Sequence, residues 1–112
     1  MDQHHIDETR LVTRRSARDQ IHLAWNYECA YCGDPLGRSP TLDHVIPKVH
    51  GGLTVRENLV SCCLICNSQK GHKPVFEWYR RQPFWSALRE WAIAEWVNSE
   101  HREPDCGQQN AA

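Results

Sequence analysis

The sequence predicts a small α+β domain in which a strand, a long loop, a second strand and a short helix form one compact ββα unit, with helices before and after it. Three observations predict this. Two Cys-x-x-Cys pairs, Cys29/Cys32 and Cys63/Cys66, bracket the middle of the chain. Between the pairs lie two short runs of strand composition, 41–46 and 58–61, separated by a turn at Gly51-Gly52. Helical periodicity is confined to the flanks of this segment.

Taken in order, residues 14–27 place Ala17, Ile21, Ala24 and Trp25 at three- and four-residue steps, the pattern of an amphipathic helix leading into the first cysteine pair. Gly33 follows Cys32, where a tight turn favours positive φ. Residues 35–40 are a loop of turn formers. The strand over 41–46 is rich in apolar and β-branched residues and stops at Pro47, which has no N–H to give a ladder. A weaker strand over 58–61 pairs with it. Residues 63–71 form a short helix that Gly71 can cap. Two more helical pieces follow, 74–81 and 83–99, the second with Trp85, Leu88, Ala92 and Trp96 at helical spacing and flanked by Phe84 and Trp91. This aromatic stripe is expected to pack into the core, because a small domain needs bulky residues there.

At 112 residues the chain is one domain, expected over 10–99 with a core at about 29–73. Residues 1–9 and 101–112 are polar, lack periodicity and are expected to be flexible tails, with Cys106 a lone thiol and His4 and His5 without function. No apolar run is long enough to span a bilayer. No signal-like stretch follows Met1, and the cysteine spacing fits metal binding better than a disulfide framework, so a cytoplasmic protein is expected.

Charge is unevenly distributed. The formal net charge is −1, yet residues 10–81 hold eleven Lys/Arg against six Asp/Glu, while the two ends hold two against eight. A basic middle can attract a phosphate backbone, with affinity limited by the acidic ends and strongly dependent on salt.

Four cysteines in two short turns suit one tetrahedral zinc, since each turn offers two sulfurs to a common point. Such an ion would clamp the intervening segment, which carries Asp43-His44 and, fourteen residues beyond His44, Asn58. Cys62 stands beside Cys63, but the 63/66 pair has the better spacing, so Cys62 is expected to pack as a small apolar residue.

The run Cys29-x-x-Cys32-Gly33, Leu42-Asp43-His44-Val45-Ile46-Pro47, Gly51-Gly52, Glu57-Asn58-Leu59-Val60 and Cys63-x-x-Cys66-Asn67-x-x-Lys70-Gly71 resembles the HNH endonucleases, the ββα-metal nucleases, in their subgroup with a four-cysteine structural zinc. The resemblance implies a metal-dependent DNA endonuclease. His44 takes the position of the general base, and an imidazole is suited to the task because it is largely neutral at working pH. Asp43 and Asn67 take the positions of the ligands to a catalytic divalent cation, Mg²⁺ or Mn²⁺ or another, for which oxygen donors are apt. Neighbouring strand residues point to opposite faces, so the family's irregular backbone at this point is needed for Asp43 and His44 to serve one site. Asn58 takes the position of the residue that bridges the long loop and fixes the base. Lys48, Lys70 and Lys73 are the expected phosphate contacts on DNA.

One departure from the commoner motif is that Asn67 stands where some members carry histidine, with Gly71 one turn beyond. His72 is about 140° around a helix from Asn67 and is expected on the surface or against a phosphate rather than as a ligand, and His22 and His50 are read the same way. So short a chain has little surface for reading a long site, and either weak specificity or a protein partner that supplies it is expected. The competing reading is a zinc-binding nucleic-acid or protein-interaction module without catalysis, which would have no need of Asp43, His44, Asn58 and Asn67 together.

Overall fold

The computed structural model describes residues 15–99. The expectations for 1–9, for 101–112 and for Cys106 lie outside them. Helix α1 (Arg15–Ala24) is followed by Asn26 and Tyr27, both at positive φ, where the chain turns into the first cysteine pair. Strands β1 (Thr41–His44) and β2 (Leu59–Cys62) pair antiparallel, with Thr41 opposite Cys62 and His44 opposite Leu59. Helix α2 (Leu64–Lys70) starts directly after β2 and ends at Gly71, whose φ of 54° reverses the chain. Helices α3 (Val75–Tyr79) and α4 (Ala87–Val97) complete the order. The result is an α+β fold built on the expected ββα unit. Among the described residues no helix is long and apolar enough to cross a membrane.

A two-stranded sheet of four-residue strands is marginal alone and needs a covering layer. Here β2 is buried along its whole length, and Val45, Val60, Cys62, Tyr31, Tyr79 and Ile93 are among the residues of one apolar cluster. Tyr31 is its centre: its ring meets Trp78 edge-on at 5.1 Å and Tyr79 at 5.5 Å, and Tyr79 Oη donates to the Tyr31 carbonyl at 2.7 Å. Cys62 is fully buried in this cluster, as expected of a small apolar side chain.

The carboxyl stripe is phased differently from the expectation. Trp85 is 43% exposed and Leu88 73%, while Ile93 is fully buried and Phe84, Trp96 and Val97 pack against the core. For Trp85 the cause is the start of the helix. Ser86, not Pro83, is the N-cap, its hydroxyl accepting from Arg89 N–H at 3.2 Å, so Trp85 precedes the helix. Within the helix Leu88 lies about 140° around the axis from the buried Ile93 and therefore faces outward. Trp85 instead donates through its indole N–H to Glu90, which also pairs with Arg80.

His22 is the other correction. Rather than lying on the surface it is 2% exposed, and its Nδ1 shares a 2.6 Å hydrogen bond with Ser61 Oγ of β2. Burial, reinforced by the charge of Arg18, holds its pKa below the ordinary imidazole value. The unfolded chain therefore binds this proton more readily than the folded one. The corresponding stability is present above the unfolded pKa of about 6.5 and is lost as pH falls. Chemical denaturation between about pH 7.5 and 5 should show falling stability, and His22→Gln should flatten that slope; an unchanged slope would show that His22 does not carry the effect.

Candidate active site and metal centre

The four sulfurs meet as their spacing requires. Sγ atoms of Cys29, Cys32, Cys63 and Cys66 all lie within 4.8 Å of one another, and Cys32 and Cys63 are 3.9 Å apart. A tetrahedral zinc with sulfurs at about 2.3 Å sets an S···S spacing of about 3.8 Å, so the cluster fits that ion. The turns are prepared locally. Gly33 N–H bonds the Cys29 carbonyl at 2.9 Å with φ at 84°, and Ala30 N–H ties the same turn to Ser61 of β2 at 2.8 Å. In the second turn Cys63 is the N-cap of α2, its sulfur accepting from Cys66 N–H at 3.4 Å. The thiols alone cannot all ionise. Hydrogen bonds from Cys62 and Cys66 pull the Cys29 thiol far down, while burial and that charge push Cys32 up to about 12. A dication is what would allow all four to be thiolates.

Beside this cluster, β1 delivers Asp43 and His44 to one cleft of about 260 Å³, whose walls include Lys48, Val49, Gly71 and His72. The ladder register runs regularly through His44 and is continued at Val45, whose N–H bonds the Asn58 carbonyl at 2.9 Å, so the irregular backbone expected at Asp43-His44 is not found. His72 lines this cleft because the helix ends at Lys70 and Gly71 redirects the chain, so helical geometry does not extend to it.

Asp43 is 4% exposed. Its Oδ2 accepts from Tyr31 Oη at 2.6 Å, and Lys70 Nζ lies 3.2 Å from Oδ2 and 3.4 Å from Oδ1. Burial raises the Asp43 pKa, against the opposing pull of Lys70 and Tyr31. The His44 pKa is lowered, first by burial and then by Lys48, which keeps the imidazole neutral and able to accept a proton. Its Nε2 shares a 2.9 Å hydrogen bond with Thr54 Oγ1. No sequence signal marks Thr54, since contact across a long loop leaves no periodic trace.

Asn58 closes that loop. Its Oδ1 accepts from Ile46 N–H at 2.9 Å, and its Nδ2 donates to the carbonyls of Ile46 at 3.1 Å and Leu53 at 3.0 Å. Gly52 lies so close beneath that a Cβ would fall 1.7 Å from the Ile46 carbonyl oxygen, so only glycine fits. Asn67 lies on the first turns of α2, its Nδ2 donating to Thr41 Oγ1 at 3.2 Å and Leu42 O at 3.4 Å, one residue from Asp43 and not on the cleft wall.

The three lysines divide. Lys48 is exposed at the cleft, and Lys73 is exposed with Nζ on the Gln69 carbonyl at 3.0 Å. Lys70 is 0% exposed, its ammonium spent on Asp43 and, at 3.1 Å, the His44 carbonyl. The expectation that it contacts DNA fails on this geometry, because a charge sealed inside cannot meet a phosphate.

Residues 29–73 match the family model of the HNH endonucleases. This segment, which contains the four-cysteine cluster, is thus similar to the HNH domain of that family. A curated relative is the CRISPR-associated endonuclease Cas9 of Corynebacterium diphtheriae, 46% identical over 55 residues that make up 47% of this chain and 5% of the relative. The chain thus spans about a twentieth of the length of that relative.

The metal centre is directly testable. Purified protein should carry about one zinc per chain, and Cys29→Ser should lose both the metal and the folded far-ultraviolet signal, since such sites fold with their ion. A stable Cys29→Ser protein without zinc would refute a structural role for the cluster.

Proposed function

We propose that the chain is a metal-dependent endonuclease that hydrolyses DNA phosphodiester bonds, acting as a single domain over 10–99 in the cytoplasm. The observation that carries this reading is the shared cleft, in which a neutral, half-buried imidazole, His44, stands beside the buried carboxylate of Asp43 and the exposed ammonium of Lys48. An HNH segment at the same residues supports it.

In this reading His44 takes a proton from water as its oxygen attacks phosphorus, and the bond from phosphorus to the leaving oxygen breaks. Thr54 and the Asn58-braced loop hold the imidazole in place for that transfer. A carboxylate oxygen of Asp43 at the cleft would be the main hard donor to Mg²⁺ or Mn²⁺, the amide oxygen of Asn67 on the adjoining turns of α2 would be the second, and water would complete the shell. When bound, such a cation stabilises the charge that develops on the phosphate. Lys48 and Lys73 would contact the flanking phosphates, and a partner protein would add sequence specificity that so small a surface lacks.

His44→Ala should slow plasmid cleavage by about 100-fold or more, the usual scale for a general base, while the fold and DNA affinity are retained. Near wild-type cleavage would sink the mechanism. Brief EDTA treatment should stop cleavage while the circular dichroism spectrum persists, Mg²⁺ or Mn²⁺ should restore it, and Asp43→Ala should raise the metal concentration required. Asn67→Ala should act likewise but less strongly, a neutral amide being the weaker donor. Cleavage unaffected by chelator would show that no weakly held cation takes part, and a protein that cleaves under none of these conditions would instead favour the zinc-binding module without catalysis.

A further inference from the structure

Asp43 is held from two sides, and each holder belongs to one of the two cysteine turns. Tyr31 lies inside the first, between Cys29 and Cys32, and donates its hydroxyl to Asp43 Oδ2 at 2.6 Å. Lys70 ends the helix that begins at the second, with Cys63 as N-cap and Cys66 in the first turn, and reaches both carboxylate oxygens. Neither side chain has room to move. Both are fully buried, the Tyr31 ring is fixed by Trp78 and Tyr79, and its turn is hydrogen-bonded to β2 through Ala30. A carboxylate offers about four acceptor sites, so these two donors leave lone pairs for a cation while fixing where they point.

We infer that Tyr31 is a positioning residue for the divalent-cation site, transmitting the rigidity of the four-sulfur cluster to the Asp43 carboxylate and so setting the affinity of that site for its cation. The inference rests on the function proposed above. Partners of metal ligands typically contribute about 10- to 100-fold to metal affinity, because an unoriented ligand must be ordered at the moment of binding. The hydroxyl of Tyr31 would therefore be needed for more than burial. A tyrosine needed only for packing would be replaced by phenylalanine without effect on the cation.

The test is Mn²⁺ titration of zinc-loaded protein, with free Mn²⁺ followed by electron paramagnetic resonance. Tyr31→Phe keeps the ring and its aromatic contacts and should bind Mn²⁺ about 10-fold more weakly, with zinc content unchanged. In cleavage, the Mn²⁺ midpoint should move up by a similar factor while the rate at saturating metal stays near wild type. Tyr79→Phe is the control: it deletes a buried hydroxyl in the same cluster, one that bonds the Tyr31 carbonyl and does not touch Asp43. It should lower the denaturation midpoint and leave Mn²⁺ affinity unaltered. If zinc-loaded Tyr31→Phe binds Mn²⁺ as wild type does, or loses no more affinity than Tyr79→Phe, the inference is overturned while the proposed function stands. A wild-type protein that takes up no Mn²⁺ beyond its zinc overturns both.

Discussion

Convergence of four sulfurs within 4.8 Å is the constraint on which the rest of the molecule depends. The first cysteine turn precedes β1 and the second joins β2 to α2, so drawing them together closes the chain around a hairpin whose strands are four residues each. Such a hairpin has too few ladder bonds to hold itself. The cluster and the aromatic group around Tyr31 supply what the sheet lacks, and they are adjacent because Tyr31 lies between two of the four cysteines.

The loop from β1 to β2 solves a second problem. A long connection carries many backbone polar groups and tends to be mobile, yet the imidazole at its root, proposed above as the general base, would need a fixed orientation. Three hydrogen bonds from one amide, that of Asn58, fasten the loop at Ile46 and Leu53, and Gly52 allows the approach. Thr54, within the fastened loop, then meets His44. One side chain thus organises a loop that contains no regular element beyond two single turns of 3₁₀ helix.

Much of this was legible in the sequence, for reasons that differ between residues. The cysteine pairs announce themselves through fixed local spacing, Cys62 through its poorer spacing, and Gly33 through its place after a tight turn. Element order also followed from pattern, with bounds displaced by a few residues. What could not be read depends on contacts distant in sequence. Lys70 looks like any surface lysine at a helix end, and only the packing of α2 on β1 shows that it is enclosed against Asp43, 27 residues away. His22 is hidden by Ser61 in the same manner, 39 residues off. The place of Trp85 depended on which residue capped α4, and the outward turn of Leu88 on which face of that helix meets the core.

The enclosure of Lys70 has a practical side. Removing its ammonium would strand a buried carboxylate, a change that typically costs about 3–5 kcal/mol, so the pair resists opening. An amine with no access to solvent is also inert to acylating reagents, whereas Lys48 and Lys73 stand open to them. Covalent labelling would accordingly mark those two at once and reach Lys70 only in molecules whose α2 has lifted from β1. The lysine thereby serves as an internal clock for the opening of this hairpin, readable by mass spectrometry without any introduced probe.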